Sequence, residues 1–432
     1  MKPSEPCTLV GILDDGWGGL SDTARQRLTA ADVVIGAGRT LELVRQHLPA
    51  SAVLQDMDGA LGQVPGWIVT AREAGQRVVV LATGDPLCHG IASWLTGRLG
   101  PEACEILPTA STLQLAFARF KQPWQDVKIA SCHSTDAGDW YVGATPEHGL
   151  YKLMRAIALH PRVATFTGPE NSPARLARAL LTAGYSGQSG DDVRLSVACR
   201  LLLPEEQLFP ELSLLDAAKM DFPEPNVVLV ERSPDPCEAA FGLEDLEYVQ
   251  RTPEQGLITK QEARALSLAK LRLAPDAIVW DIGAGSGSVG LEAARLAPHG
   301  HVWAIEKNAG DAANARANAA RFKVGNYTLA EGKAPTHMDA WPDPDAVFIG
   351  GSGGELAALI RLILDRLKPR GRLVMNFVTL ENLATATHEL AAAGATWDVV
   401  QLQASRSQPI LDMHRMAAQN PVWIVSAHKE MK

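Results

Sequence analysis

The stretch Val279-Trp280-Asp281-Ile282-Gly283-Ala284-Gly285-Ser286-Gly287-Ser288-Val289-Gly290 limits the possible folds more than any other part of the chain. A short apolar run reads as a buried strand, and the glycines behind it read as a turn that opens a helix. Glycine permits backbone conformations and close approaches that a Cβ blocks, and the helix start behind it presents free N–H groups. Strand, turn and helix in this order form the opening unit of an α/β sheet. Asp281, at the strand end, would repel a pyrophosphate and suits a cationic or amine-bearing ligand. The sulfonium and aminoacyl group of S-adenosylmethionine (SAM) fit that requirement. The same stretch also contains Gly285-x-Gly287-x-x-Gly290, a formal match to the dinucleotide fingerprint. Its first glycine lies beyond the end of the strand and an acid precedes it, which favours SAM over a dinucleotide or a purely structural turn. Asp281, Gly283, Gly285 and Gly287 are the first candidate cofactor residues.

A second acid points the same way. The apolar run His301–Ile305 ends in Glu306, about 20 residues past the glycine turn, where nucleotide-binding folds place a carboxylate on ribose hydroxyls. The competing reading is a solvated charge paired with Lys307. Further on, Ala346-Val347-Phe348-Ile349 reads as another strand, running into the four-glycine loop Gly350-Gly351-Ser352-Gly353-Gly354. Loops at such strand ends carry the chemistry in open α/β sheets. Gly332 and Gly350 join the cofactor candidates. Arg372–Asn376 gives one more strand with polar groups behind it, among which Asn376 is a candidate catalytic residue.

At 432 residues the chain exceeds the size at which a single core usually stops growing, so two domains are expected. A net charge of -9 argues against a nucleic-acid surface, because phosphate contacts need clustered Lys and Arg. Six cysteines stand without metal-ligand spacing and read as free thiols in a reducing compartment; no metal site is expected. No apolar run approaches the roughly 20 residues of a membrane span. The expectation is a soluble cytoplasmic protein with no membrane or nucleic-acid partner.

Apolar runs alternate with helical stretches throughout, as in α/β domains. In the first half, strands are expected near Thr8–Ile12, Val33–Ile35, Val78–Ala82, Ile129–Ser131, Arg162–Phe166, Arg194–Cys199 and Asn226–Glu231. The two prolines of Glu231-Arg232-Ser233-Pro234-Asp235-Pro236-Cys237 break regular structure. They place the boundary between a first domain at residues 1–235 and a second at 240–432.

Three glycine- or serine-bearing elements punctuate the first half where strands should hand over to helices: Gly11–Gly16, Gly84-Asp85-Pro86, and Pro108–Thr112. By chemistry alone, Gly84-Asp85-Pro86 is equally well a tight turn with an Asp cap. Cys88 and His89 read as a surface or packed pair, since further ligands at workable spacing are missing.

Together with Pro225-Asn226-Val227-Val228, these elements resemble the tetrapyrrole methylases of cobalamin biosynthesis. The resemblance implies a fold of two α/β subdomains holding SAM in a folded conformation, with Gly11, Gly84, Asp85, Ser111, Thr112 and Asn226 near it. The first loop reads Leu13-Asp14-Asp15-Gly16 where many relatives have Gly-Pro-Gly. The second half, through Thr252–Arg264, the Asp281 turn, Phe348–Gly354 and Asn376–Asn382, resembles the decarboxylating precorrin methyltransferases. That implies a Rossmann-like class I SAM-dependent domain, with Gly256 and Thr259 closing over SAM. The two resemblances imply one SAM per domain and a tetrapyrrole substrate, precorrin-6B, converted to precorrin-8X. The first domain would methylate carbon 5; the second would methylate carbon 15 and remove the ring C acetate carboxylate. Relatives of each module associate, so a homo-oligomer is expected.

A precorrin carries several carboxylates, which Arg clamps best. Candidates are Lys260, Arg264, Lys333, Arg406 and Arg415, with His414 as a proton donor, and Arg39 and Arg119 in the first domain. Asp85 is a candidate to orient substrate or the SAM amino group. A SAM-dependent methyltransferase of RNA or another small molecule is the rival reading. The four-glycine loop replaces the Asn/Asp-Pro-Pro-aromatic loop that a nucleic-acid amino-methylating enzyme would carry.

Overall fold

The computed structural model describes residues 5–133, 135–185, 193–233, 239, 241–251 and 258–428. The chain divides into two compact units. One comprises Met1–Thr135, Arg162–Ala174 and Arg194–Glu231, the other Asp136–Pro161, Arg175–Val193 and Arg232–Lys432.

The first unit opens with a sheet of β1 (Cys7–Ile12), β2 (Val33–Gly36), β3 (Val53–Asp56), β4 (Val78–Thr83) and β5 (Cys104–Leu107), in the order β3-β2-β4-β1-β5. All its pairings are parallel. The central strands β1, β2 and β4 are continuous apolar runs, as strands covered on both faces must be. A second sheet holds β6 (Lys128–Ser131), β7 (Arg162–Phe166), β8 (Val193–Cys199), β9 (Gln207–Ser213) and β10 (Asn226–Arg232), ordered β6-β7-β10-β8-β9. It is mixed, with β6 parallel to β7 and β10 antiparallel to it. The expected strands are all present. The structure adds β3, β5 and β9, sheet-edge strands that are short of buried residues.

The second unit is built on β11 (Ile278–Ile282), β12 (His301–Glu306), β13 (Tyr327–Glu331), β14 (Ala346–Ile349), β15 (Arg372–Phe377), β16 (Thr396–Leu402), the hairpin strands β17 (Ser405–Ile410) and β18 (Met413–Ala418), and β19 (Val422–His428). Seven of these form a sheet ordered β13-β12-β11-β14-β15-β19-β16. It is parallel from β13 to β15 and antiparallel at β19 and β16. Side chains alternate between two cores. Val279, Val302, Ala304 and Phe348 enter one, while Trp280, Ile282, Ile305 and Ile349 enter the other. By that alternation Asp281 shares the face of Val279, the face covered by the helix Ser288–Leu296. Both units are therefore α/β, and the second has the Rossmann-like open sheet expected from its glycine turn. Among the described residues no helix is long and apolar enough to cross a membrane.

Candidate active site

β11 ends at Ile282, and Gly283 follows with φ +70°. A Cβ there would lie 2.4 Å from the carbonyl oxygen of Gly351. The Gly350 N–H donates to the Ile282 carbonyl at 2.9 Å. The loops after β11 and β14 thus press backbone to backbone, and glycine is the residue that allows it. Gly285 (φ +56°) donates its N–H to Oε2 of Glu306 at 2.9 Å, and Gly287 (φ +79°) starts the helix Ser288–Leu296. The other Glu306 oxygen accepts the Asn308 N–H at 2.8 Å. An ionised carboxylate has about four lone-pair sites, so two remain for ligand hydroxyls. Gly283, Gly285 and Glu306 line a cleft of about 230 Å³ together with Asp311, Gly332, Lys333 and Gly350, whereas Gly287 stands outside its lining. The cleft lies at the carboxyl ends of the parallel strands, where open α/β sheets take their ligands.

Asp281 is not among the residues lining this cleft. Its side chain is turned inward, 1% exposed, with Oδ2 accepting the Gly290 N–H at 3.0 Å. Oδ1 has no partner among the described residues. Burial pushes its pKa up to about 7; the Gly290 N–H opposes the rise and the nearby Glu306 charge adds to it. Tyr327 is buried alongside, its hydroxyl also unpartnered among the described residues. A Cβ on Gly290 would come within 2.7 Å of the Tyr327 ring and 2.4 Å of Oδ2 of Asp281. Gly290 is therefore the space into which both side chains fit. In place of the expected contact with a cationic ligand, Asp281 braces the turn from behind.

The basic candidates separate clearly. Arg264 is fully buried. Its guanidinium donates to Glu292 at 2.7 Å, to Asp245 at 3.3 Å and to the carbonyls of Thr259 (2.7 Å) and Leu243, and it lies 5.0 Å from the centre of the Tyr248 ring. With its donors so engaged, it is a structural post and not a substrate clamp. Arg406 makes a two-bond clasp on Glu262 and reaches Asp245 at 2.9 Å. Lys260 is exposed at the cap of the helix Gln261–Leu271. Asn376 exchanges hydrogen bonds with Ser267 at 2.9 and 3.1 Å. His414 and Arg415 stand exposed on the β17–β18 hairpin. Of these candidates only Lys333 lines the cleft, where it pairs with Glu355 at 2.8 Å. Gly256 lies outside the described residues.

In the first unit a cleft of about 340 Å³ is lined by Thr112 and Asn226 with Asp14, Arg39, Thr83, Cys88, His89, His133, Phe166 and Thr167. A Cβ on Gly11 would sit 2.6 Å from the Gly84 carbonyl, so β1 and the turn after β4 approach closely at a position only glycine fills. Gly84 has φ +68° and donates to the Ile12 carbonyl at 2.8 Å. Asp85 accepts the Leu87 N–H at 2.8 Å, the turn-capping role that chemistry alone allowed. Ser111 caps the helix Thr112–Phe120 in a reciprocal box with Gln114. Asn226 is held by Thr167, whose hydroxyl also donates to the Asn226 carbonyl at 2.7 Å. Arg39 lines the cleft but is paired with Asp14 at 2.8 Å, and Arg119 is bound to Glu206.

Residues 6–214 match the tetrapyrrole (corrin/porphyrin) methylases, and residues 252–429 match the precorrin methyltransferase domain. A Sinorhizobium protein named precorrin-6Y C(5,15)-methyltransferase [decarboxylating] is 32% identical over 410 residues, spanning 93% of this chain and 91% of its own length. The chain belongs to the precorrin-6Y C(5,15)-methyltransferase (decarboxylating) family. A Mycobacterium tuberculosis protein of the same name is 31% identical over 388 residues, 89% of this chain and 90% of its own. The second half alone is 44% identical over 174 residues to a Salmonella typhimurium cobalt-precorrin-6B C(15)-methyltransferase (decarboxylating), covering 40% of this chain and 90% of that one.

Several cleft residues of this family member belong to no motif in the sequence. Asp311, in the first turn of the helix Ala309–Arg321, lines the second-unit cleft and pairs with Arg251 at 2.8 Å. The usable signal was Asn308, a helix cap three residues ahead that fixes where the first turn begins. In the first unit, Cys88 and His89 line the cleft, and the His89 ring meets Phe166 edge-on at 5.8 Å.

Proposed function

We propose that this chain methylates a precorrin at carbons 5 and 15 and removes the ring C acetate carboxylate, using one SAM in each domain, 1–235 and 240–432. The observation that carries the reading is the backbone cradle at Gly283, Gly285 and Gly350 with Glu306 and Asp311 beside it. A Cβ on Gly283 would force the two loops that form the cradle apart, and its acids suit a ligand that joins ribose hydroxyls to an amine and a sulfonium. Bound there, SAM supplies a methyl whose S–C bond breaks with its electron pair left on sulfur, while a ring carbon supplies the pair for the new C–C bond.

The chain's own residues then hold and orient. Glu306 and Asp311 hold the cofactor, and Lys307 and Lys333 at the same cleft offer cations to substrate carboxylates. Proximity and orientation supply most of the acceleration when the nucleophile is an electron-rich ring carbon. Loss of carbon dioxide from the acetate arm leaves an electron pair that the conjugated macrocycle accepts, and one proton completes the resulting methyl group. No separate decarboxylation cofactor is required. In the first unit, Thr112 and Asn226 lie at a cleft of their own, which supports a second SAM site.

We place the protein in the cytoplasm as a homo-oligomer with no nucleic-acid or membrane partner. The β17–β18 hairpin supports self-association, since two strands alone are marginal in water and Leu411 at its tip is 94% exposed. Calorimetric titration with SAM tests the two-site reading. The wild type should take up two equivalents per chain and Gly283→Ala one; a single equivalent in the wild type would refute it.

A further inference from the structure

A groove at the opposite end of the second unit's sheet is unrelated to the cofactor cleft. It has a volume of about 780 Å³ and is walled by Arg272, Lys368, Arg370, Arg372, His428 and Asp276. Arg372 and His428 face each other across β15 and β19, at the start of one strand and the end of the other. The glycine turns follow the opposite, carboxyl ends of the parallel strands, so the groove lies where open α/β sheets do not ordinarily bind ligands.

Its charge runs against the composition of the chain. The whole sequence carries 40 Lys and Arg against 49 Asp and Glu. Here Lys368 is neutralised by Asp345 at 2.9 Å, and Asp345 also accepts the Ile278 N–H at 2.8 Å. Arg272, Arg370 and Arg372 then stand against Asp276 alone, and none of the three has an ion-pair partner among the described residues. Two of them occupy left-handed backbone, Arg272 at φ +49° and Arg370 at φ +65°. Glycine is the ordinary residue at such turns, because a Cβ there crowds the following carbonyl. Arg272 follows a helix end and complements its dipole, which accounts for that residue by itself. No helix end accounts for Arg370 on a turn or Arg372 at a strand start.

Arg272, Arg370 and Arg372 come from separate elements and line one concavity, and guanidinium groups bind carboxylate and phosphate oxygens in pairs. The volume suits a small molecule and is too small for a duplex. We propose that this groove is a second ligand site, taking a small organic polyanion with two or more carboxylate or phosphate groups through Arg272, Arg370 and Arg372.

The test is calorimetry on the full chain at fixed ionic strength, with citrate and pyrophosphate as probes, heparin as the comparison polyanion and SAM titrated separately. One probe should bind in the submillimolar range or tighter, and the better of the two identifies carboxylate or phosphate as the preferred group. Arg370→Gly, which relaxes the backbone, and Arg372→Gln should each weaken that probe at least tenfold and leave SAM affinity unchanged. Three results would overturn the proposal: no binding of either probe, equal affinity in the variants, or a marked preference for heparin over both small anions.

Discussion

Asp281 shows how a single residue can brace the turn of a site without lining it. Its carboxyl titrates near 7 in the folded chain against 3.8 ordinarily, so between those values the folded state holds a proton that the unfolded chain has released. Stability contributed by this group is therefore present at low pH and is lost as pH rises through about 7. His301 has the opposite sign, because burial lowers its pKa to about 3 and stability is lost as pH falls below its ordinary 6.5. Asp281→Asn removes the carboxyl titration and keeps an oxygen for the Gly290 N–H, while His301 is common to both proteins and cancels. Thermal melts should show the variant gaining on the wild type as pH rises from about 4 to about 7, with no further gain above that. A difference independent of pH would mean that Asp281 is ionised throughout.

The helix Gln261–Leu271 is held by Arg264, which gathers Glu292, Asp245 and two carbonyls at one guanidinium. Arg264→Met leaves the buried Glu292 carboxylate without its cation, while Asp245 keeps Arg406, and we expect a loss of about 3–5 kcal/mol in urea unfolding. A loss below about 1 kcal/mol would show that the network is replaceable. The sequence held a clue to this, since Arg264 falls on the apolar stripe of Ala263, Ser267, Leu268 and Leu271, all buried. Charge type alone grouped it with Arg406. The elements followed the same logic. β1, β4, β11, β12 and β14 were legible as mostly apolar runs, because both of their faces are covered. β3, β5 and β9 were not, because edge strands bury little; β9 carries Pro210 in its middle. The β17–β18 hairpin, exposed along nearly all its length, gives no burial pattern to read. The glycine cradle was legible because close backbone approach allows only one residue type. The inward turn of Asp281 was not, since it depends on Tyr327, which packs there from β13.

For the molecule as a whole, the two-stranded hairpin carries Ile410, Leu411, Met413 and Met416 exposed, with no third strand among the described residues. Leu411→Asp should lower the mass of the assembly in sedimentation while SAM uptake persists; an unchanged mass would remove the hairpin from the interface. The proposed function puts two methylating sites, one of them decarboxylating, on one chain. Mass spectrometry of the product from precorrin-6B and SAM tests it most directly, comparing wild type with Gly283→Ala. The wild type should add two methyl groups and lose one carbon dioxide, and the variant should add a single methyl and retain the carboxylate. A variant that still decarboxylates, or a wild type that adds only one methyl, would contradict the account.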